Sequence, residues 1–264
     1  MEIESFVRNA PALVAVAFHD LQNGEAFFHH ADVALHPAST IKVGVMMEVF
    51  HQAAQGRFSL DDEIEVANSF TSIADGSPFS VFAQDDSETT LYEKIGATER
   101  IREIARLMIA RSSNLATNLL LQKIGAAQTT AYLKELGVEG VQILRGPEDN
   151  RAFALGMNNS ATARGLMQMM KVIAEEEAVS PQASRAMIEI LLKQEFNEGI
   201  PARLPVPVAH KTGWNDDMYH DFGIVFPENR RPYALAMMTR GFQAEDDAHR
   251  FVADLSERIY QQLT

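Results

Sequence analysis

The sequence predicts a mixed α/β (α+β) fold in which strands from both ends of the chain form one sheet and the middle is helical. Strand-like apolar segments lie at residues 12–18 and 25–28, joined by the hairpin signal Asn23-Gly24. More apolar strands lie near the C-terminus, and amphipathic helical patterns separate the two groups. Strands at both ends with helices between them indicate one sheet with helices packed against it.

The N-terminal part begins with a predicted short helix at residues 2–9. A second helix starts after Pro37 and ends at Gly56. Beyond Lys42 it is almost wholly apolar, which predicts a helix buried on most sides, since a surface helix would carry a polar face. The stretch 75–90 is rich in turn-forming and acidic residues, and it predicts a long surface loop.

The middle of the chain is a series of predicted helices, and the C-terminal part returns to strands. The helices begin near Thr98, Asn114, Ala127, Ser160 and Ser180. The strands lie at 206–210, 222–226 and 233–239, and a last amphipathic helix spans 244–262. Pro207 makes the first of these strands an edge strand or a short one, because proline has no N–H for a sheet ladder.

The composition excludes several classes of protein. With 264 residues, 46% of them hydrophobic and 22% charged, the chain is globular and forms one large domain or two small ones. A net charge of −13 argues against nucleic acid or an anionic membrane as partner. The lack of cysteine excludes thiol catalysis and Cys-ligated zinc. The histidines show no metal-binding spacing and no phosphate-binding glycine loop is present, so we expect no metal and no cofactor.

Lys42 is the unusual residue of the apolar helix. An unpaired cation there is costly, and burial lowers the pKa of its ammonium toward a neutral amine. Ser39 lies three residues earlier, on the same face of the helix. A hydroxyl beside an amine that can lose its proton is a nucleophile and base pair. This predicts covalent chemistry at Ser39.

Two further motifs follow in order. Ser112-Ser113-Asn114 stands at the junction of two predicted helices, and Lys211-Thr212-Gly213 stands at the predicted end of an apolar strand. Ser-x-x-Lys alone is weak, but the order Ser-x-x-Lys, Ser-x-Asn, Lys-Thr-Gly resembles the penicillin-recognising serine hydrolases, and class A β-lactamases most closely. The resemblance covers most of the chain.

The resemblance implies a single β-lactamase-like domain over residues 1–264. Its α/β part would comprise about 1–57 and 195–264, with an antiparallel sheet of N- and C-terminal strands flanked by helices. Residues 58–194 would form an all-helical part. The implied partner is a small-molecule substrate, a β-lactam or a related acyl compound. The implied location is periplasmic or secreted, although the start Met1-Glu2-Ile3-Glu4 is acidic where a signal peptide would be basic.

The resemblance also implies a role for each motif residue. Ser39 would carry the acyl group, Lys42 would take its proton, and Ser112 would pass a proton to the leaving nitrogen. Asn114 would hold the amide side chain of the substrate. In the third motif, Lys211 would supply positive potential and Thr212 a hydroxyl for the substrate carboxylate, and Gly213 would belong to the same substrate-binding segment. The backbone N–H groups of Ser39 and Trp214 would form the oxyanion hole.

Each of these residues also has a plain structural alternative. Ser39, Ser112 and Asn114 can be ordinary helix caps, and Lys42 can extend its amine to solvent along an apolar stem. Lys211-Thr212-Gly213 can be a simple strand end. Trp214, the only tryptophan, either lines the cleft or covers the core.

The sequence departs from the class A pattern at three places. Ser113 replaces an Asp that helps fix the local structure. In the loop 145–159, Glu148 stands one place later after Arg145 than the deacylating Glu of the family, with Asp149 as a weaker substitute. Either Glu148 reaches the site in a reshaped loop or it lies in a solvated acidic turn. The family's anion-binding Arg is also missing, with His220-Asp221 in its region.

Three functions remain open from the sequence. The first is a serine hydrolase that opens β-lactams or related amides or esters through a Ser39 acyl-enzyme. The second is a peptidase or esterase of the same superfamily. The third is a β-lactam-binding module that is acylated without efficient deacylation.

Overall fold

The computed structural model describes residues 2–263. In chain order its elements are α1 (Glu2–Arg8), β1 (Leu13–Asp20), β2 (Ala26–His29), α2 (Lys42–Ala54), β3 (Glu63–Glu65), β4 (Phe70–Thr71), β5 (Pro78–Phe79), β6 (Thr98–Arg100), α3 (Ile101–Ala110), α4 (Asn114–Ile124), α5 (Ala126–Glu135), α6 (Asn150–Ala154), α7 (Ala163–Ala174), α8 (Pro181–Leu191), β7 (Val208–Asn215), β8 (Met218–Val225), β9 (Tyr233–Arg240) and α9 (Glu245–Leu263). Within residues 2–263, no helix combines the length and the apolar character that crossing a bilayer requires.

One five-stranded antiparallel sheet joins the two ends of the chain. Its strand order is β2-β1-β9-β8-β7, so the N-terminal strand β1 pairs with the C-terminal strand β9. In this register Val16 lies opposite Met237. The predicted mixed α/β fold, with a sheet built from both termini, is therefore confirmed. β7 is an edge strand, as Pro207 indicated, and it begins one residue after that proline.

The two faces of the sheet are covered by different helices. Side chains alternate along a strand, and in β9 Leu235 and Met237 pack on one side while Ala234 and Ala236 pack on the other. The first side is covered by α1 and α9, with Phe251 and other apolar residues of α9 in the same cluster. The second side is covered by α7, and the small alanines there let the helix approach closely. Because both faces are covered, the central strands β1 and β9 carry buried apolar residues on both faces.

Helix α2 lies in the centre of the helical part. It packs against α3, α4 and α5, and it is buried on most sides as predicted, with Val43, Met46 and Val49 inaccessible to solvent. Gly44 allows α5 to approach, because a Cβ there would lie 3.0 Å from a methyl of Leu133. The division of the chain at residues 58 and 194 stays a prediction.

Several element boundaries differ from those predicted. Ala38–Ile41 form a turn of 3₁₀ helix, and α2 begins only at Lys42. Thr162, not Ser160, caps α7 by accepting a hydrogen bond from the Gly165 N–H. Ser160 instead exchanges backbone hydrogen bonds with Gln142, which sequence patterns do not reveal.

Candidate active site

The Ser39 turn forms the floor of a cleft between the sheet and the helical part. Thr40 fixes the turn, since its hydroxyl donates to the Pro37 carbonyl at 2.7 Å. Ala38 adopts φ 47°, a left-handed conformation that costs energy for a residue with a Cβ. Ser39 itself is half-buried and lines a cleft of about 300 Å³. The turn therefore presents the hydroxyl at the head of α2.

Lys42 lies directly beneath Ser39 and is buried. Its Nζ is 2.9 Å from Ser39 Oγ, 2.9 Å from Asn114 Oδ1 and 2.5 Å from the Ser112 carbonyl oxygen. Burial lowers the pKa of Lys42 to about 7, against smaller opposing effects of the Asp86 and Glu148 carboxylates. A large fraction of the amine is thus neutral near pH 7 and able to accept the Ser39 proton.

Ser112 connects the two buried lysines. Its Oγ lies 3.2 Å from Lys42 Nζ and 3.0 Å from Lys211 Nζ. Ser112 is the middle one of the three residues between α3 and α4. Its φ of 58° is a strained conformation for serine. The next residue, Ser113, caps α4 by accepting a hydrogen bond from the Ala116 N–H at 3.1 Å. The junction thus places Ser112 inward and uses Ser113 for the helix.

Lys211 and Thr212 lie within β7 and not at its end. The strand continues to Asn215 because β8 pairs with it along its whole length, and β8 begins at Met218, four residues before the strand predicted at 222–226. Lys211 is buried, and burial together with the neighbouring Lys42 lowers its pKa well below the usual range for lysine. Its Nζ donates to the Thr212 carbonyl at 2.8 Å. Within residues 2–263, the buried Thr212 hydroxyl has no hydrogen-bond partner.

Gly213 brings β7 against the Ser39 turn. A Cβ on Gly213 would lie 2.8 Å from the Ser39 nitrogen and 2.9 Å from the Thr40 nitrogen, distances that real side chains do not reach. Only glycine fits this approach. The following residue, Trp214, lines the cleft and also packs edge-on against Phe196 at 4.9 Å between ring centroids. Both alternatives for this ring therefore hold.

Glu148 enters the cleft from the loop 145–149. Its Oε1 accepts a hydrogen bond from Asn114 Nδ2 at 2.9 Å, and its Oε2 accepts one from the Phe82 N–H at 3.2 Å. Its φ of 64° is strained for a glutamate. Burial raises the pKa of Glu148, and the hydrogen bond from Asn114 opposes that rise. Glu148 is thus not a solvated acidic turn residue.

Asp149 has a different position. Its carboxylate accepts hydrogen bonds from Ser72 Oγ at 2.7 Å and from the Ile73 and Ala152 N–H groups, so it caps α6 and holds the loop. It does not line the cleft that contains Ser39. Asp149 as a substitute for Glu148 is therefore not favoured by the geometry.

The loop under Glu148 is fixed by internal contacts. The Arg145 guanidinium donates to the Met157 and Gly146 carbonyls and to Asn158 Oδ1. Asn118 Nδ2 donates to the Pro147 carbonyl at 3.1 Å. These bonds hold the backbone at Gly146 and Pro147, directly before Glu148, which helps to keep its carboxylate next to Asn114.

His220 and Asp221 do not replace the missing arginine. His220 is buried, and its Nε2 lies 2.9 Å from the His36 carbonyl oxygen. Asp221 accepts from the Ile200 N–H at 2.7 Å and pairs with His210 at 2.9 Å. Both side chains are thus engaged inside the protein.

The sequence did not identify every residue of the site. Asp86 and Glu88 belong to the stretch predicted as a surface loop, yet both are buried, so that prediction is wrong at these two positions. Asp86 contacts the Ser113-Asn114 turn, and Glu88 pairs with Arg111. The only sequence signal for them was acidity, which usually indicates exposure. His36, Phe153 and Asn159 also line the cleft without any signal in the sequence.

Known proteins are similar to this chain in sequence and in fold. The model of the β-lactamase enzyme family matches residues 1–263. The chain belongs to this family. A β-lactamase of Bacteroides uniformis is 21% identical over 276 residues, which cover 99% of this chain and 90% of the relative. The extended-spectrum β-lactamase PER-1 of Pseudomonas aeruginosa is 21% identical, with 98% and 85% covered.

Solved structures with similarly low sequence identity share the fold. The β-lactamase of Sphaerobacter thermophilus superposes with a TM-score of 0.84 at 21% identity, covering 98% of this chain and 95% of that one. PBP-A superposes with a TM-score of 0.83 at 25% identity, with 99% and 94% covered. This member of the β-lactamase family is accordingly a serine β-lactamase-like hydrolase.

Proposed function

We propose that this chain hydrolyses β-lactams through an acyl-enzyme on Ser39. One observation carries the proposal: the buried Lys42 amine contacts both Ser39 Oγ and Ser112 Oγ, and its pKa of about 7 suits a base. Glu148 lies in the same cleft, which supports a second step that releases the acyl group.

In the acylation step, neutral Lys42 takes the proton of the Ser39 hydroxyl. The Ser39 oxygen then bonds to the carbonyl carbon of the lactam. The resulting oxyanion is stabilised by the backbone N–H groups of Ser39 and Trp214, which Gly213 allows to lie close together. When the ring C–N bond breaks, the nitrogen receives the Ser112 proton, and Ser112 is reprotonated by Lys42 or Lys211.

The remaining motif residues bind the substrate. The Asn114 side chain would hold the acylamino group, in exchange for part of its present contacts with Lys42 and Glu148. A substrate carboxylate would accept a hydrogen bond from the unpartnered Thr212 hydroxyl. It would also be attracted by the positive potential that a protonated Lys211 supplies. The anion-binding arginine of class A enzymes has no counterpart in this region of the described structure. His220 and Asp221, which stand there instead, are bonded to other groups of the protein.

In the deacylation step, Glu148 takes a proton from water while the water oxygen attacks the ester carbonyl. The bond between the Ser39 oxygen and the acyl carbon breaks, and the Ser39 oxygen receives the proton that Glu148 took from water, which regenerates the free enzyme and releases the ring-opened acid. This role suits a half-buried carboxylate whose pKa is raised by burial, since that makes it a stronger base.

A second candidate function is a β-lactam-binding protein that releases the acyl group slowly. Two observations favour it. Glu148 stands one residue later than in class A enzymes, and PBP-A is similar over the whole chain. One structure of a PBP-A point mutant is an acyl-enzyme complex with penicillin G.

The test mixes the protein with a chromogenic β-lactam and follows both absorbance and intact mass. We expect steady hydrolysis, and we expect Ser39→Ala to lose it by about 10³-fold or more, because the nucleophile is gone. A persistent adduct without turnover would support the binding protein instead. Neither turnover nor adduct, or an unaffected Ser39→Ala variant, would refute the proposal.

A further inference from the structure

The second motif lacks its usual carboxylate, yet a carboxylate lies against it. Ser113 occupies the position where the motif has Asp. Asp86, 27 residues earlier in the chain, is 8% exposed and lies at the start of α4. Nothing in the Ser39 chemistry described above uses this residue.

Asp86 contacts the start of α4 with one carboxylate oxygen. Its Oδ2 accepts hydrogen bonds from the Asn114 N–H at 2.8 Å, the Leu115 N–H at 2.9 Å and the Tyr92 hydroxyl at 2.9 Å, and it lies 3.3 Å from Ser113 Oγ. The first N–H groups of a helix lack partners within the helix, and an anion there is stabilised by the helix dipole. The two backbone bonds fix Asn114, and through the chain they fix Ser112.

The loop that carries Asp86 is tied to the same junction. Asp86 Oδ1 accepts a hydrogen bond from the Glu88 N–H at 3.1 Å. The Glu88 side chain pairs with Arg111 at 2.9 Å, and Arg111 immediately precedes Ser112. The loop is therefore held on both sides of the strained residue Ser112.

We propose that Asp86 is a positioning residue, which supplies across space the carboxylate that the Ser112-Ser113-Asn114 motif lacks within itself. It holds Asn114 and Ser112 at their distances from Lys42. The activity assay for this proposal rests on the proposed function. The proposal extends that function by one residue that lies outside all three motifs.

Asp86 also acts on the charge balance of the site. The charged groups around Lys42 are Asp86, Glu148 and Lys211, and the Asp86 carboxylate raises the pKa of both Lys42 and Glu148. Removing that charge lowers the pKa of Lys42. In a plot of the acylation rate against pH, the acidic limb then moves to lower pH. A residue with a purely structural role would not produce this shift.

The experiment compares Asp86→Asn, Asp85→Asn, Ser113→Asp and the double variant Asp86→Asn/Ser113→Asp. Asp85 is the exposed neighbour, so its variant removes one nearby charge without removing a bond to α4. Acylation by a chromogenic β-lactam is measured as kcat/KM against pH. Binding of a boronic acid that carries an acylamino group is measured alongside, because it forms its bond to Ser39 without any deacylation.

We expect Asp86→Asn to lower acylation and boronic acid affinity by about 10-fold to 100-fold, and to move the acidic limb downward, while Asp85→Asn stays near wild type. Ser113→Asp alone should also be harmful, because it places two carboxylates side by side. In the Asp86→Asn background it should restore both readouts, since Asp is also a good helix cap. This reversal remains measurable even if Asp86→Asn alone folds poorly.

The outcomes separate the two proposals. Asp86→Asn with unchanged acylation, affinity and pH profile would overturn the role of Asp86, and so would a double variant no better than Asp86→Asn. A wild type that binds the boronic acid but neither turns over β-lactams nor is acylated by them would refute the proposed function alone. The boronic acid series would then decide on Asp86.

Discussion

The two halves of the proposed reaction are built from different kinds of structure. The acylating residues Ser39, Lys42 and Ser112 lie at the ends of helices, and Lys211 lies within a strand. Their polar atoms are linked by contacts of 3.2 Å or less. The releasing carboxylate, Glu148, lies on an irregular loop and reaches the cleft only through a left-handed backbone conformation.

This difference explains which residues a sequence reveals. In a helix the spacing of two residues fixes the face they share, so Ser39 and Lys42 were recognisable as a pair. In a loop, one residue more or less can be absorbed by the backbone, as the φ of Glu148 illustrates. Spacing is therefore strong evidence in regular elements and weak evidence in loops.

The largest effect on the reaction rate is expected from a substitution of Lys42 among the acylating residues. Lys42→Met removes the base beside Ser39, and we expect the acylation rate to fall by about 10²–10⁴-fold. The measurement is the rate at which the acyl adduct forms, followed as an increase in the intact mass of the protein by the mass of the β-lactam. Lys193→Met, which removes an exposed lysine, is the matched control and should acylate normally. Normal acylation of Lys42→Met would mean that another group takes the Ser39 proton.

A smaller effect on the rate is expected from a change of pH. It distinguishes the acylating residues from the deacylating Glu148. With a Lys42 pKa of about 7, kcat/KM for acylation should rise up to about tenfold per pH unit below pH 7 and level off above it. The reason is that only the neutral amine accepts the proton. Glu148→Gln should keep this limb but move it to lower pH, because the Glu148 carboxylate raises the pKa of Lys42. A limb that disappears with Glu148→Gln would assign the acylating base to Glu148.

The fold was predictable from local patterns, whereas part of the site was not. Short continuous apolar segments identified the terminal strands, and a long apolar stretch identified the buried α2, because burial requires such patterns. Asp86 was read as part of a surface loop, since nothing local shows that α4 offers it unpaired N–H groups. Lys211 was placed at a strand end because the apolar pattern covers only part of β7 and β8, whereas their pairing extends through the polar residues to Asn215 and Met218.

The most direct test of the central claim is the fate of the acyl group in Glu148→Gln. Asp149→Asn, the neighbouring carboxylate that lies outside the cleft, is the comparison. After mixing with a β-lactam, intact mass and peptide mapping are followed over time. We predict that Glu148→Gln accumulates an adduct on Ser39 that persists about 10²–10⁴-fold longer than in wild type, while Asp149→Asn releases it far sooner. Release from Glu148→Gln at the wild-type rate would contradict the account.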